Sequence, residues 1–121
     1  MTNRLLFLFI PVLLLSHFSV RAASPQSSYR LGISSFKAGD YATAISAFEE
    51  AAKQGYAEPK LYMNLANAYL KIKGYEKADE QYSLAMKYDN WHDLALFQKA
   101  KIAFTLNDYD KANLDSSHKC N

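Results

Sequence analysis

Apolar residues along the middle of the chain recur at helical intervals. From Leu61 the steps of three and four run through Leu65, Ala68 and Tyr69 to Ile72 and lay one stripe along a helix. Pro59 suits the first turn of that helix, where its missing N–H is not needed. A second stripe carries Tyr75, Ala78, Tyr82, Ala85 and Met86. Between the two lies Lys73-Gly74, and comparable breaks occur at Gly39-Asp40 and Asn107-Asp108. Gly and Asn accept a left-handed backbone, and Asp can cap the helix that follows. The pattern therefore predicts three helical hairpins in succession.

The hairpins share a register of 34 residues. Ala44, Ala78 and Ala112 are spaced by that interval, as are Tyr41, Tyr75 and Tyr109. The same offset pairs Leu31 with Leu65, Phe48 with Tyr82, Ala51 with Ala85 and Pro25 with Pro59, and aligns Gly32, Ala66 and Ala100. Small residues at Gly32 and Ala44, Ala66 and Ala78, Ala100 and Ala112 allow two helix axes to cross at about 8–10 Å. Rings at Tyr41, Phe48, Tyr69, Tyr75 and Tyr82 are then expected to fill the space between successive hairpins, where aromatics bury the most area.

With these residues in place the chain resembles the tetratricopeptide repeat family. Leu31-Gly32, Tyr41, Ala44, Phe48 and Ala51 carry the likeness in the first unit; Tyr62, Leu65-Ala66, Tyr69, Tyr75, Ala78, Tyr82 and Ala85 carry it in the second. The third unit departs: Ala100, Tyr109 and Ala112 fit, but Ser116 replaces an aromatic and Lys119 a small residue. The expected fold is all-α, an α-solenoid of antiparallel helical hairpins with two full repeats and a degenerate third, at about residues 25–58, 59–92 and 93–121. A core built from so few residues is expected to be marginal, and the poorly furnished last unit is a candidate for self-association.

In this family the first helix of each hairpin lines an inner, concave face where partners bind. The resemblance therefore implies a partner-binding surface of Tyr29, Ile33, Phe36 and Lys37, then Lys60, Met63, Asn64, Asn67 and Lys71, then Phe97, Lys101 and Phe104. Lys60, Asn64, Asn67 and Lys71 follow steps of four, three and four and form one polar line. Asn is a mediocre helix former, so two on one line suggest amides that grip the backbone of an extended peptide while the lysines attract carboxylates. The rings and Met63 beside them suit an apolar segment bearing some acidic residues. One subfamily clamps the terminal carboxylate of chaperone tails with basic and Asn residues. Asn64 fits one such position, but Tyr29, Ile33, Leu94 and Gln98 stand where the others are needed, so that clamp is not expected.

The start of the chain has a different character. A short basic stretch ends at Arg4, an apolar run spans Leu5 to Leu15, and Val20-Arg21-Ala22 offers small residues at alternate positions, the layout of a secretory signal peptide cleaved after Ala22. Eleven apolar residues fall short of the roughly 20 that span a bilayer; an uncleaved anchor is the alternative. The expected product is residues 23–121, periplasmic or secreted. Arg4 and Arg21 account for two of the fourteen basic residues, leaving twelve against twelve acidic ones, so the net +2 of the whole chain falls to near zero. That balance gives no support to nucleic-acid binding. The only cysteine, Cys120, precludes an internal disulfide.

No catalytic or metal-ligating constellation emerges. His17 lies in the leader, His92 stands beside Trp91 and His118 is near the C-terminus; neither a nucleophile–base pair nor metal-ligand spacing can be assembled from them. The four glycines are isolated, so a phosphate-cradling loop is absent. Adjacent acidic residues, Glu49-Glu50 and Asp79-Glu80, point in different directions on a helix and read as solvated charges. The expectation is a non-enzymatic adaptor or scaffold without cofactor or metal that binds a protein or peptide. The alternative is a structural or truncated piece of a larger repeat assembly with an incomplete groove.

Overall fold

The structure, a computed structural model, describes the backbone of residues 22–118 and the side chains of residues 22–110. The leader reading, apart from Ala22, and the reading of Cys120 lie outside the described residues, as do the side chains at Ala112, Ser116, His118 and Lys119.

Five α-helices and one 3-10 turn follow one another: α1 (Pro25–Lys37), α2 (Tyr41–Lys53), α3 (Pro59–Lys71), α4 (Tyr75–Ala85), the turn at Asp89–Trp91, and α5 (His92–His118). Each first helix pairs mainly with the one after it, α1 with α2 and α3 with α4, while α2 meets α3 and α4 meets α5 between hairpins. This is the expected α-solenoid of antiparallel hairpins.

The helix ends follow from local chemistry. Ser24 caps α1 by accepting from the Ser27 N–H at 3.2 Å, and Asp40 caps α2 by accepting from the Thr43 N–H at 3.1 Å. Hydrogen bonding from Thr43, its side chain first and its backbone N–H second, holds the Asp40 carboxyl below its usual range. At the C-termini one device recurs: Asp40, Tyr56 and Gly74 donate their N–H groups back to the carbonyls of Ser35, Ala51 and Tyr69. The residue before each donor is left-handed, with φ of 80° at Gly39, 89° at Gly55 and 60° at Lys73. In the second hairpin the left-handed position thus falls on Lys73, while Gly74 occupies the N-cap of α4 with φ −80°.

The small-residue register closes the hairpins as expected where both helices are present. Ala44, Ala66 and Ala78 are fully buried. Gly32 is buried too, and its lack of a side chain answers to a ring: a Cβ there would stand 2.5 Å from Phe48. Phe48, Tyr69 and Tyr82 fill the core, whereas Tyr41 and Tyr75 are half-buried at its margin.

The third unit differs from the predicted hairpin. No break forms at Asn107-Asp108; α5 passes through it as one helix. Folding back would gain little, because Ser116 and Lys119 stand where a buried ring and a buried methyl would be needed. In consequence Ala100, whose counterpart Ala66 is fully buried, is exposed.

Candidate interaction surface

α1, α3 and α5 are the first helices of their units, and the implied partner-binding residues lie on them. Lys37, Lys60, Lys71 and Lys101 are exposed; Tyr29, Ile33, Phe36, Asn64 and Asn67 are half-buried. Ile33 and Phe36 pack against the core, with Phe36 edge-on to Tyr41 at 5.4 Å. Met63 is a correction: at 4% exposure it belongs to the core cluster and offers a partner almost no surface. Its unbranched, adaptable side chain suits such filling. Phe97 and Phe104, at 61% and 68%, are open to solvent.

The structure joins two of these residues across the hairpins. Asn64 on α3 donates from Nδ2 to the Tyr29 hydroxyl on α1 at 2.9 Å. Tyr29 is held in place by stacking on Tyr56 at 4.6 Å and by the tilted Phe48 ring at 5.7 Å. Burial, with Tyr56 alongside, pushes the Tyr29 phenol above its usual pKa, so it keeps its proton at neutral pH. Its oxygen accepts from Asn64; its O–H and the Asn64 Oδ1 have no partner among the described residues. A donor and an acceptor therefore stand side by side, the pair that an extended backbone presents in reverse.

Asn67 is tied differently. Its Oδ1 accepts from the hydroxyl of Tyr82, a fully buried residue of α4, and its carboxamide N–H groups have no partner among the described residues. Burial lifts the Tyr82 pKa to about 12. The sequence holds a clue to this link. Asn67 and Tyr82 are 15 residues apart, and the equivalent pair one repeat earlier is Ile33 and Phe48, where both partners are apolar.

Two acidic residues assigned to solvated faces instead lock helices together. The Glu49 carboxylate accepts from the Tyr69 hydroxyl, joining α2 to α3; burial, then that bond, carry the Tyr69 pKa to about 12. Asp79 stands 3.3 Å from the Lys99 ammonium, which also donates to Ser83 at 2.6 Å, joining α4 to α5. Neither link was legible from the charges alone, because adjacency in sequence does not show which residue faces the neighbouring hairpin.

On α5 the Lys101 ammonium lies 5.7 Å from the centre of the Phe97 ring. Phe97, Ala100, Lys101, Phe104 and Thr105 border a shallow open depression of about 320 Å³. His92 is exposed, 3.4 Å from the neighbouring Asp93. Among the described residues no group of three His, Cys, Asp or Glu side chains is placed to hold a metal, and no helix is long and apolar enough to cross a membrane.

With the hairpins, the small-residue crossings and the shared register in view, comparison with known proteins gives a consistent answer. The tetratricopeptide repeat pattern matches residues 59–90. Anaphase-promoting complex subunit 3 of Schizosaccharomyces pombe is 36% identical over 84 residues, which is 69% of this chain and 13% of that protein. Tetratricopeptide repeat protein 12 of Homo sapiens is 35% identical over 78 residues, 64% of this chain and 11% of that protein. The chain thus spans a small fraction of the length of these relatives. Among solved structures, the second tetratricopeptide repeat domain of Spaghetti (RPAP3), bound to the HSP90 peptide SRMEEVD, superposes with a TM-score of 0.62 at 28% identity, covering 78% of this chain and 87% of that one. The protein belongs to the tetratricopeptide repeat family.

Proposed function

We propose that the protein is a non-catalytic adaptor whose α1–α3 surface holds an extended, partly acidic segment of another protein. The observation that carries this reading is the Tyr29–Asn64 hydrogen bond, which fixes an unused phenol donor beside an unused carboxamide acceptor. Asn67, one step along the same face of α3, adds carboxamide N–H groups that the Tyr82 bond leaves unused. Lys60 and Lys71 bracket it and Lys37 lies on α1, a basic frame for carboxylates in the bound segment. Rigid, pre-oriented groups lower the ordering cost of binding. The similarity to a domain that binds SRMEEVD, a peptide combining carboxylates with Met and Val, agrees with a ligand of this chemistry. Recognition of a terminal carboxylate is not part of the proposal, because Tyr29 and Ile33 stand where such a clamp needs a Lys and an Asn, and Leu94 and Gln98 where it needs a basic pair.

We further propose that residues 1–22 direct export and are removed, so that the adaptor works in the periplasm or outside the cell; N-terminal sequencing of the mature protein should then begin at Ala23. Binding is tested by titrating the protein with SRMEEVD carrying either a free or an amidated C-terminus, and with its Gln/Asn counterpart SRMQQVN. The expected result is binding that survives amidation, is lost with the Gln/Asn peptide, and weakens at least about tenfold when Lys60 and Lys71 are both changed to Glu. Affinity indifferent to those lysines, or no binding of either acidic form, would refute it.

A further inference from the structure

The exposed side of α5 carries a pattern that the groove on α1 and α3 does not use. Ala95 and Ile102, at 0% and 4% exposure, mark the side of α5 that packs on the body. Steps of four, three and four from Phe97 lead through Lys101 and Phe104 to Asp108, so these four share one line on the other side of the helix. All four are exposed, and the two shallow depressions along this line meet at Phe104 and Thr105.

Such a face is unusual for a free surface. One repeat earlier the positions of Phe97 and Phe104 are held by Met63, buried at 4%, and Leu70, packed against the core. In the middle of the stack these positions are covered; on α5 they present two bare rings. Two exposed rings on one helix line mark an interaction surface rather than scattered apolar residues.

The charges indicate what covers it. Lys101 lies three residues before Phe104 and Asp108 four after it. Among the described residues neither takes part in an ion pair. A second α5 laid against the first in the same direction would set Lys101 against Lys101 and Asp108 against Asp108. Turned end for end about Phe104, it sets each Lys101 against the other copy's Asp108, with the two Phe104 rings meeting at the centre. The line is thus complementary to itself in the antiparallel sense, as a two-fold interface requires. The balance of twelve basic against twelve acidic residues in 23–121 imposes no general repulsion between copies.

We propose that this face of α5 docks a second copy of the same chain, antiparallel across a two-fold axis near Phe104, with reciprocal Lys101–Asp108 pairs flanking the rings. It lies beyond the peptide-binding reading and stands or falls without it. The test is sedimentation equilibrium of the full chain over a range of concentrations, comparing the unaltered protein with Lys101→Asp, with Asp108→Lys, and with the two changes combined. These exposed sites tolerate either charge, and circular dichroism confirms that each variant remains helical. The expected result is a monomer–dimer equilibrium weakened at least about tenfold by either single change, through like charges across the axis, and restored by the double change. A monomer at every concentration overturns the proposal. So does a dimer that the single changes leave intact, which would place association elsewhere, for example on the apolar run Leu5–Leu15; so does weakening that the double change fails to reverse.

Discussion

A buried phenol must find an acceptor, and for Tyr82 the acceptor is the carboxamide of Asn67. Asn67 therefore serves the core with its oxygen and can serve a ligand with its nitrogen, and a plain alanine scan would confuse the two. Asn67→Ala leaves the Tyr82 hydroxyl unpaired at 0% exposure and is expected to cost about 1–3 kcal/mol. The combination Asn67→Ile with Tyr82→Phe recreates the Ile33/Phe48 pair of the first repeat and should recover most of that loss. Chemical denaturation of the three proteins checks this: if the double variant is no more stable than Asn67→Ala, the bond is not what holds Asn67. The same logic separates the residues of the proposed groove. Asn64 bonds only to a half-buried tyrosine, so its removal is expected to act on binding more than on stability.

At the scale of single elements, the three helix stops show how one turn is written in different residues. Gly39 and Gly55 take left-handed backbone at little cost, whereas Lys73 adopts φ 60° with a full side chain. A left-handed non-glycine residue costs about 1–2 kcal/mol, part of which is returned because glycine gains more entropy in the unfolded chain. Lys73→Gly is expected to stabilise the protein by about 0.5–1 kcal/mol, read as a higher thermal midpoint by circular dichroism; an unchanged or lower midpoint would show that the Lys73 side chain contributes something its exposure hides. The break itself was legible from Lys73-Gly74, but its geometry was not, because glycine drew attention to the wrong member of the pair. At Asn107-Asp108 the local signal was equally good and no turn formed. Turn residues permit a reversal; buried partners on the returning helix drive it, and Ser116 and Lys119 do not supply them. The inner-face residues divide on the same ground. Repeat position identifies the helix face, but burial of Met63 and exposure of Phe97 depend on whether another unit stacks there, which a single repeat does not encode.

Taken whole, the molecule is a short stack in which each unit is stabilised by its neighbours. α3 sits in the middle and buries Leu61, Met63, Leu65, Ala66, Ala68 and Tyr69. Toward the ends the same positions lose cover: Leu65 is 3% exposed, while its counterpart Leu31 on α1 is 51% exposed. α5 buries Ala95 and Ile102 and is further tied to α4 by the Lys99 ammonium with Asp79 and Ser83. Local opening in such a stack begins where neighbour contacts are fewest, so amides of α5 between Leu94 and Leu106 are expected to exchange with solvent before those of α3. Lys99→Ala removes the polar tie and leaves the Ala95 and Ile102 contacts in place. With both charged partners partly exposed, the ion pair is worth at most about 1 kcal/mol, which corresponds to roughly fivefold faster exchange in α5. Exchange in α1 and α2 should be unchanged, since the polar contacts of Lys99 reach Asp79 and Ser83 on α4. Hydrogen exchange followed by mass spectrometry resolves these segments. Equal acceleration in every helix would mean that the protein opens as one cooperative body rather than from its α5 end.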